Sequence, residues 1–145
     1  MKNYVKNLIL IITFFSLTAC AGTGYKNYDD ISSIVEEPIN TKVFIIRDMG
    51  YQGSINLVHI KLNNLEIADL GEGEMTVADG KIGSNVLSLE LGGIAGIGVG
   101  AIQKTFEILD GENKYFIIGL KMGLLGSKMK LDETVKSSWV ETAKD

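Results

Sequence analysis

The chain has 145 residues with 14 basic and 18 acidic side chains, and it carries a formal net charge of −4 at pH 7. An acidic balance without a basic patch argues against a nucleic acid as the partner. The chain contains one cysteine and one histidine, so an intrachain disulfide is excluded and a thiolate metal site is not expected. A chain of this length suits a single domain held together by its apolar core.

The first 19 residues follow the order of a secretory signal peptide. Lys2 and Lys6 supply the positive charge, and Leu8–Leu17 forms an apolar run of ten residues. A membrane-spanning helix needs roughly 20 apolar residues, so this run is too short to span a bilayer. Residues 1–19 are therefore predicted to be a signal peptide, and they do not enter the fold prediction.

The segment Leu17-Thr18-Ala19-Cys20 resembles the lipobox of bacterial lipoproteins. The resemblance implies that the chain is cut before Cys20 and that the Cys20 thiol is diacylated. No cofactor beyond this covalent lipid is expected. Two or more acyl chains anchor a protein stably, because each buried CH₂ adds about 0.8 kcal/mol. Lipoproteins retained at the inner membrane tend to carry aspartate after the cysteine, and this chain has Ala21. The expected location is therefore the outer membrane, facing the periplasm.

Residues 20–41 are predicted to be a lipidated tether. The segment is polar and acidic and contains Gly22, Gly24 and the chain's only proline, Pro38. Ile31, Ile34 and Val35 have helical spacing, which predicts one or two turns of helix. Fully extended, about 22 residues reach at most roughly 75 Å, so the domain could stand well off the membrane or lie on it.

Residues 42–145 are predicted to form one mainly β domain. Apolar and polar residues alternate in short segments that turn residues separate. The pattern predicts an antiparallel β-sandwich or a partly open barrel of seven to eight strands. The main segments lie at Val43–Ile46, Leu57–Leu62, Leu65–Ala68, Glu74–Val77, Leu87–Leu91, Thr105–Ile108, Tyr115–Leu120 and Lys128–Leu131.

Asparagine, aspartate and glycine mark the predicted turns. These lie at Asn63-Asn64, Gly71-Glu72-Gly73, Asp79-Gly80, Asp110-Gly111 and Gly126-Ser127. A short C-terminal helix is predicted after the last strand, with Asp132 as its cap and with Val135 and Trp139 on one face. Strands do not alternate with helices, which argues against a parallel sheet.

Several of these features are also informative through their order. They are the lipobox, the acidic segment with Pro38, the strand Val43-Phe44-Ile45-Ile46-Arg47, Gly53-Ser54, Gly71-Glu72-Gly73 and the Gly111–Phe116 segment GENKYF. Over about residues 28–131 they resemble a family of small bacterial lipoproteins with a prealbumin-like β domain of unknown function. The chain has Asn63-Asn64 where that family usually has Asp-Gly, and Gly83–Val86 where it usually has Pro-Gly-x-His. The resemblance implies an anchored β domain and supplies no catalytic residues.

The stretch Leu91–Ile102, LGGIAGIGVGAI, contains five glycines among aliphatic residues. Ile102-Gln103 precedes Lys104-Thr105, so the spacing of a phosphate-binding loop fails, and the intervals also depart from G-x-G-x-x-G. A nucleotide partner is therefore not expected. The stretch is too short to span a membrane. Two interpretations stay open: a pliable connection between strands, or an apolar contact loop that touches lipid or a partner. The contact residues would be Gly92, Gly93, Ile94, Gly96, Ile97, Gly98, Val99 and Gly100.

The polar residues show no catalytic or metal-binding constellation. His59 is predicted to be a surface or satisfied histidine, because the sequence shows no nucleophile or further ligands around it. The acids between Glu66 and Asp79 lack the spacing of a calcium loop and are predicted to form a solvated face. Arg47 is expected to pair with one of these carboxylates.

These observations favour a non-enzymatic, lipid-anchored periplasmic domain that binds a protein or the cell envelope. The alternative is a binder of a small apolar ligand or lipid, which would need an internal cavity of roughly 300 Å³ or more. A hydrolase that depends on His59 has the weakest support.

Overall fold

The computed structural model describes residues 22–37, 41–49, 56–92, 100–123 and 126–145. These residues contain two helices and eight strands. In chain order the elements are α1 (Tyr28–Glu36), β1 (Lys42–Arg47), β2 (Val58–Leu62), β3 (Leu65–Leu70), β4 (Met75–Asp79), β5 (Gly83–Leu91), β6 (Ile102–Ile108), β7 (Lys114–Gly123), β8 (Gly126–Thr134) and α2 (Lys136–Lys144).

The strands form two four-stranded sheets that pack as a sandwich. The strand order is β4-β1-β7-β8 in the first sheet and β3-β2-β5-β6 in the second. The predicted β-sandwich with a short C-terminal helix is therefore confirmed, and the barrel alternative is not the one that forms. One ladder departs from the antiparallel expectation, because β1 and β7 run parallel, with Val43 opposite Lys114 and Arg47 opposite Ile118.

The parallel ladder lies in the part of the first sheet that is covered on both faces. Val43 and Ile45 of β1 point into the core between the two sheets, whereas Phe44 and Ile46 belong to a second core on the other face. This explains the unbroken apolar run of β1, since a strand buried on both faces has no position for a solvated residue.

The two helices build the second core. Ile31 and Val35 of α1 and Trp139 of α2 are fully buried against the outer face of the first sheet. The Trp139 ring lies 5.7 Å from Phe44 and 6.1 Å from Tyr115, measured between ring centroids. The molecule therefore has three layers: the helices, the first sheet and the second sheet.

The outer face of the second sheet carries polar side chains. In β2, Val58, Ile60 and Leu62 are buried, while His59 and Lys61 between them are partly exposed. Leu87, Leu89 and Leu91 show the same inward alternation in β5. The alternation predicted for both segments is confirmed.

Most predicted turns are confirmed, and two local predictions near the C-terminus are wrong. Asn63, Asn64 and Gly111 adopt positive φ angles of 52°, 68° and 77°. By contrast, Gly126 and Ser127 lie within β8, where Gly126 pairs with Gly123, so the turn predicted at these two residues is wrong.

The C-terminal helix is present, but its predicted cap and face are wrong. Asp132 lies in β8, and the N-cap position of α2 is Val135, which makes no side-chain capping bond. Val135 is 62% exposed while Trp139 is fully buried, so the two do not share a face. Val135 precedes the first helical turn, which is why helical spacing does not apply to this pair.

The segment assigned to the tether is packed on the sandwich over its described part. The helix predicted around Ile31, Ile34 and Val35 is confirmed as α1, and it covers the first sheet. Residues 22–26 ahead of it also bond to both sheets. A free tether therefore cannot include residues 22–37. Among the described residues, no helix is long and apolar enough to cross a membrane.

Candidate functional site

The strands alternate in direction, so their connections gather at two opposite ends of the sandwich. We call the upper end the one at which the odd-numbered strands finish and the even-numbered strands begin. In the first sheet it contains Arg47 and Met75, and in the second sheet it contains Leu70, Leu91 and the start of β2. The hydrogen bond from Arg47 Nη1 to Leu70 O joins the two groups. The lower end holds the Asn63-Asn64 turn and the connections that follow Asp79 and Ile108.

Residues 22–26 form what we call the N-terminal clasp, which bonds to both sheets near the upper end. Thr23 N donates to Asp69 O at 2.8 Å, and Asp69 N donates to Thr23 Oγ1 at 2.9 Å. Tyr25 exchanges two backbone hydrogen bonds with Met75, at 2.7 and 2.9 Å. Since Asp69 lies in the second sheet and Met75 in the first, the clasp closes the seam between the sheets.

The two glycines of the clasp are required by its close approach to the sandwich. A Cβ atom at Gly22 would lie 1.8 Å from Glu74 Oε2, and one at Gly24 would lie 2.5 Å from Leu70 Cδ2 and 2.9 Å from Met75 O. The sequence pattern suggested flexibility at these glycines, whereas the structure uses them for contact.

A cleft of about 730 Å³ lies beside the clasp at the upper end. The β3–β4 connection, the start of α1 and the end of α2 form its walls. Met49 and Leu57 are apolar residues in its lining, and its charged residues are Lys26, Asp29, Glu72, Glu74, Lys144 and Asp145. The lining suits polar groups better than an apolar ligand.

Glu74 is the most buried charged side chain of this cleft. It is 5% exposed, and its carboxylate accepts a hydrogen bond from Gly71 N at 2.9 Å. Lys26 Nζ lies 3.8 Å from the other carboxylate oxygen. The bond to Gly71 shapes the β3–β4 turn, and the ion pair joins this turn to the clasp.

Arg47 organises the interior of the upper end. The side chain is 1% exposed, and Nη1 donates to Asn56 O at 2.5 Å and to Leu70 O at 2.9 Å. Burial lowers the pKa of the guanidinium, while the negative charges of Glu72 and Glu74 act in the opposite direction. Glu72 and Glu74, which belong to the acidic segment expected to pair with Arg47, act on it electrostatically. The hydrogen bonds from Nη1 go to two backbone carbonyl oxygens instead. A buried cation requires such partners.

His59 and Asp69 form a cross-strand pair on the outer face of the second sheet. Nδ1 of His59 lies 2.5 Å from Asp69 Oδ1, and the two side chains are 43% and 41% exposed. The ring reaches toward Gly92, where a Cβ atom would lie 2.5 Å from Nε2. The pair orients the imidazole, as expected for a satisfied surface histidine. Among the described residues, no group of three or more His, Cys, Asp or Glu side chains could hold a metal ion.

The predicted contact loop is described only at its two flanks. Gly92 follows β5 and Gly100 precedes β6, and both flanks lie at the upper end. Gly93, Ile94, Gly96, Ile97, Gly98 and Val99 lie outside the described residues, as does Cys20. Gly92 N donates to Leu57 O at 2.8 Å, which joins the start of the stretch to the connection before β2.

Sequence reasoning missed both the clasp and the partner of His59. The Asp69 partner depends on the β2/β3 register, which shifts between Ile60 and Lys61. Counting across the predicted hairpin without a bulge places Ala68 opposite His59 and Asp69 one residue further along. The bulge shifts the register by one residue and brings Asp69 opposite His59. The clasp has no comparable signal, because its bonds come mainly from the backbone.

No family model matches this sequence, and comparisons with curated proteins and with solved structures also found no match.

Proposed function

We propose that this protein is a lipid-anchored, non-enzymatic module of the bacterial cell envelope, attached to the outer membrane through Cys20 and facing the periplasm. The observation that carries the proposal is the order of the first 20 residues, in which a positive start and a short apolar run lead to Leu17-Thr18-Ala19-Cys20. The resemblance of this motif to a lipobox supplies the anchoring chemistry. The diacylated Cys20 would hold the domain at the membrane.

The described geometry supports a contact function better than an apolar-ligand function. Core side chains from both sheets pack against one another inside the sandwich, among them Val58, Leu89, Phe106 and Phe116. The cleft described above lies outside this core and has a charged lining. An apolar ligand would need the opposite arrangement, which is an apolar lining around an enclosed space.

The contact surface that we assign to the module is the upper end. The flanks of the apolar stretch, Gly92 and Gly100, lie there, and so does Met49, whose side chain is 56% exposed. Exposed apolar side chains also lie at the lower end, among them Leu65, Ile82 and Leu109, so the assignment rests on the flanks of the glycine stretch and on the closeness of this end to Cys20 in sequence. The polar outer face of the second sheet has the composition of a solvated surface.

Metabolic labelling tests the anchor. Cells that express the wild-type chain are expected to incorporate labelled palmitate into a product that has lost residues 1–19. The Cys20→Ser variant is expected to incorporate none and to keep the mass of the precursor. A serine hydroxyl cannot form the thioether that carries the diacyl group, so incorporation that persists in Cys20→Ser would refute the assignment.

Catalysis is tested separately by the His59→Gln variant. The amide keeps much of the size and hydrogen-bonding capacity of the ring but cannot act as a general base at neutral pH. The variant is expected to complement a strain that lacks the protein as well as the wild type does. Loss of complementation with unchanged stability and unchanged palmitate labelling would favour an enzyme over a contact module.

A further inference from the structure

We propose that the upper end of the sandwich lies against the bilayer surface, held there by the short link between Cys20 and the clasp. This inference rests on the proposed lipid anchor and adds the surface and the partner, which is the lipid bilayer itself. It follows from the position of Gly22, which is two residues after Cys20 in sequence and already packs against Glu74 and Gly71.

The length of the link is the decisive quantity. Gly22 is two positions after Cys20 in sequence, and a step of two residues spans at most about 7 Å. The 22-residue tether predicted from sequence would have reached roughly ten times as far. The lipid of Cys20 must sit at the membrane, so the clasp must lie within about one nanometre of it.

The clasp also fixes the orientation of the domain. Thr23 is bonded to Asp69 in the second sheet and Tyr25 to Met75 in the first. A segment bonded to both sheets cannot pivot freely about the sandwich. The opposite, lower end lies about 25 Å away along the nine residues of β5, beyond the reach of the link.

The upper end has a side chain suited to contact with lipid. Met49 is 56% exposed, and its Cγ and Sδ atoms lie 3.1 Å from the position of a Cβ atom at Gly73, so it borders the same cleft as Gly22. The charges around this cleft favour a zwitterionic surface over an anionic one, since four carboxylates (Asp29, Glu72, Glu74 and Asp145) outnumber Lys26 and Lys144.

The orientation can be measured on the intact lipoprotein in phosphatidylcholine vesicles. The chain has no cysteine besides Cys20, so a single introduced thiol can be labelled uniquely with a fluorophore. Met49→Cys places the label at the upper end. Leu109→Cys is the matched control at the lower end, because Leu109 is an apolar residue that is 66% exposed. Brominated acyl chains quench from the lipid side, and iodide quenches from the water.

The label at position 49 is expected to lose most of its fluorescence to brominated lipid and to be protected from iodide. The label at position 109 is expected to show the reverse. Equal quenching at both positions, or stronger lipid quenching at 109, would overturn the proposal. A label at position 49 that is insensitive to brominated lipid in the vesicles, together with crosslinking of position 49 to another protein in intact cells, would also overturn it, in favour of a protein partner.

A linker variant tests whether the short link is the cause. Insertion of about 20 Gly and Ser residues between Ala21 and Gly22 adds a flexible chain with a root-mean-square length of about 25 Å. The variant is expected to sediment with vesicles as the wild type does, but to lose the quenching difference between positions 49 and 109. An unchanged difference would overturn the role of the link.

Failure of the anchor is distinguishable from failure of the orientation. A wild-type protein that carries no palmitate and does not sediment with vesicles would refute both proposals. A protein that carries palmitate and sediments with vesicles, but shows no difference between the two labelled positions, would refute the orientation alone.

Discussion

Thr23 and Asp69 are joined by two hydrogen bonds, one from the Thr23 amide to the Asp69 carbonyl and one from the Asp69 amide to the Thr23 hydroxyl, at 2.8 and 2.9 Å. The two residues are 46 positions apart in sequence. Through them the segment that follows Cys20 becomes part of the sandwich edge. The side chain of Asp69 in turn meets His59, so the clasp and the polar face of the second sheet are connected.

Thr23→Val tests the clasp. The substitution preserves the shape of the side chain but removes the hydroxyl that accepts from Asp69 N. We expect a loss of about 0.5–1 kcal/mol in the free energy of unfolding, the usual net value of one hydrogen bond. Urea denaturation measures this loss. Thr23→Ser keeps the hydroxyl and should behave nearly as the wild type, and equal losses in both variants would contradict the assigned role.

Trp139→Ala tests the helical layer. Trp139 is fully buried and packs against Phe44 and Tyr115, so its truncation leaves a cavity in the second core. The expected destabilisation is about 3–5 kcal/mol. The matched control is Val135→Ala in the residue before α2, which is 62% exposed and should change stability by less than about 0.5 kcal/mol. A small effect of Trp139→Ala would mean that α2 does not stabilise the sheet.

Gly92→Ala tests the contact between the glycine stretch and His59. The new Cβ atom would lie 2.5 Å from Nε2, so the ring must move and its contact with Asp69 must change. The His59 side chain is 43% exposed and can move aside, so we expect a destabilisation of about 0.5–1.5 kcal/mol, the usual cost of an off-rotamer side chain. Shifted imidazole resonances in the NMR spectrum should accompany it.

Two controls accompany this substitution. Gly119→Ala adds a methyl group where no heavy atom lies within 4 Å, and it should be tolerated. In a His59→Ala background, Gly92→Ala should lose most of its cost, because the ring that it displaces is gone. Additive effects of the two substitutions would contradict a direct contact.

Glu112 and Lys114 give a predicted pH dependence at the lower end. The hydrogen bond from Lys114 Nζ, at 2.8 Å, and a second one from Leu109 N hold the pKa of Glu112 below its usual value of 4.5. The same bond to Glu112 raises the pKa of Lys114 above 10.5, partly opposed by burial. A lowered carboxylate pKa stabilises the fold above the pKa of the unfolded chain, and this contribution is lost as the pH falls through the folded value.

Glu112→Gln is therefore expected to reduce stability at pH 7, and this effect should fade as the pH falls below 4.5 and through the lowered pKa of Glu112. The size should be about 0.2–1 kcal/mol, as for partly exposed ion pairs. Denaturation midpoints measured between pH 7 and pH 3 would show the two curves converging at the acidic end. Glu107→Gln, at an exposed position of β6, serves as the comparison. Parallel curves for Glu112→Gln and the wild type would contradict the prediction.

The local pattern was sufficient to identify most elements. Alternation marked β2 and β5 because each has one face toward the core and one toward water. Asn63-Asn64 marked a hairpin because asparagine tolerates the positive φ angles that the turn adopts. These signals are local, since they depend on neighbours within a few residues. They also located α1, whose apolar residues have helical spacing.

The candidate surface was predictable only in part. The apolar glycine stretch was visible in sequence, but its place at the upper end depends on the direction of β5 and β6. The sequence did not mark Met49 as a surface residue, because a single methionine outside a repeating apolar pattern does not indicate which way its side chain points. The clasp could not be predicted from the sequence, because it bonds mainly through backbone amides and carbonyls, which do not depend on residue type. Its partners are also distant in sequence.

The sequence by itself determined the order of strands and turns and the apolar character of β1, and it carries the motif on which the proposed anchor rests. Only the tertiary structure decided that β1 pairs with β7 in parallel, that helices cover its second face, and that the chain after Cys20 closes the seam between the sheets. The physical reason is that the periodicity of apolar residues in a strand shows which of its faces is buried. Which element covers that face depends on contacts between distant parts of the chain.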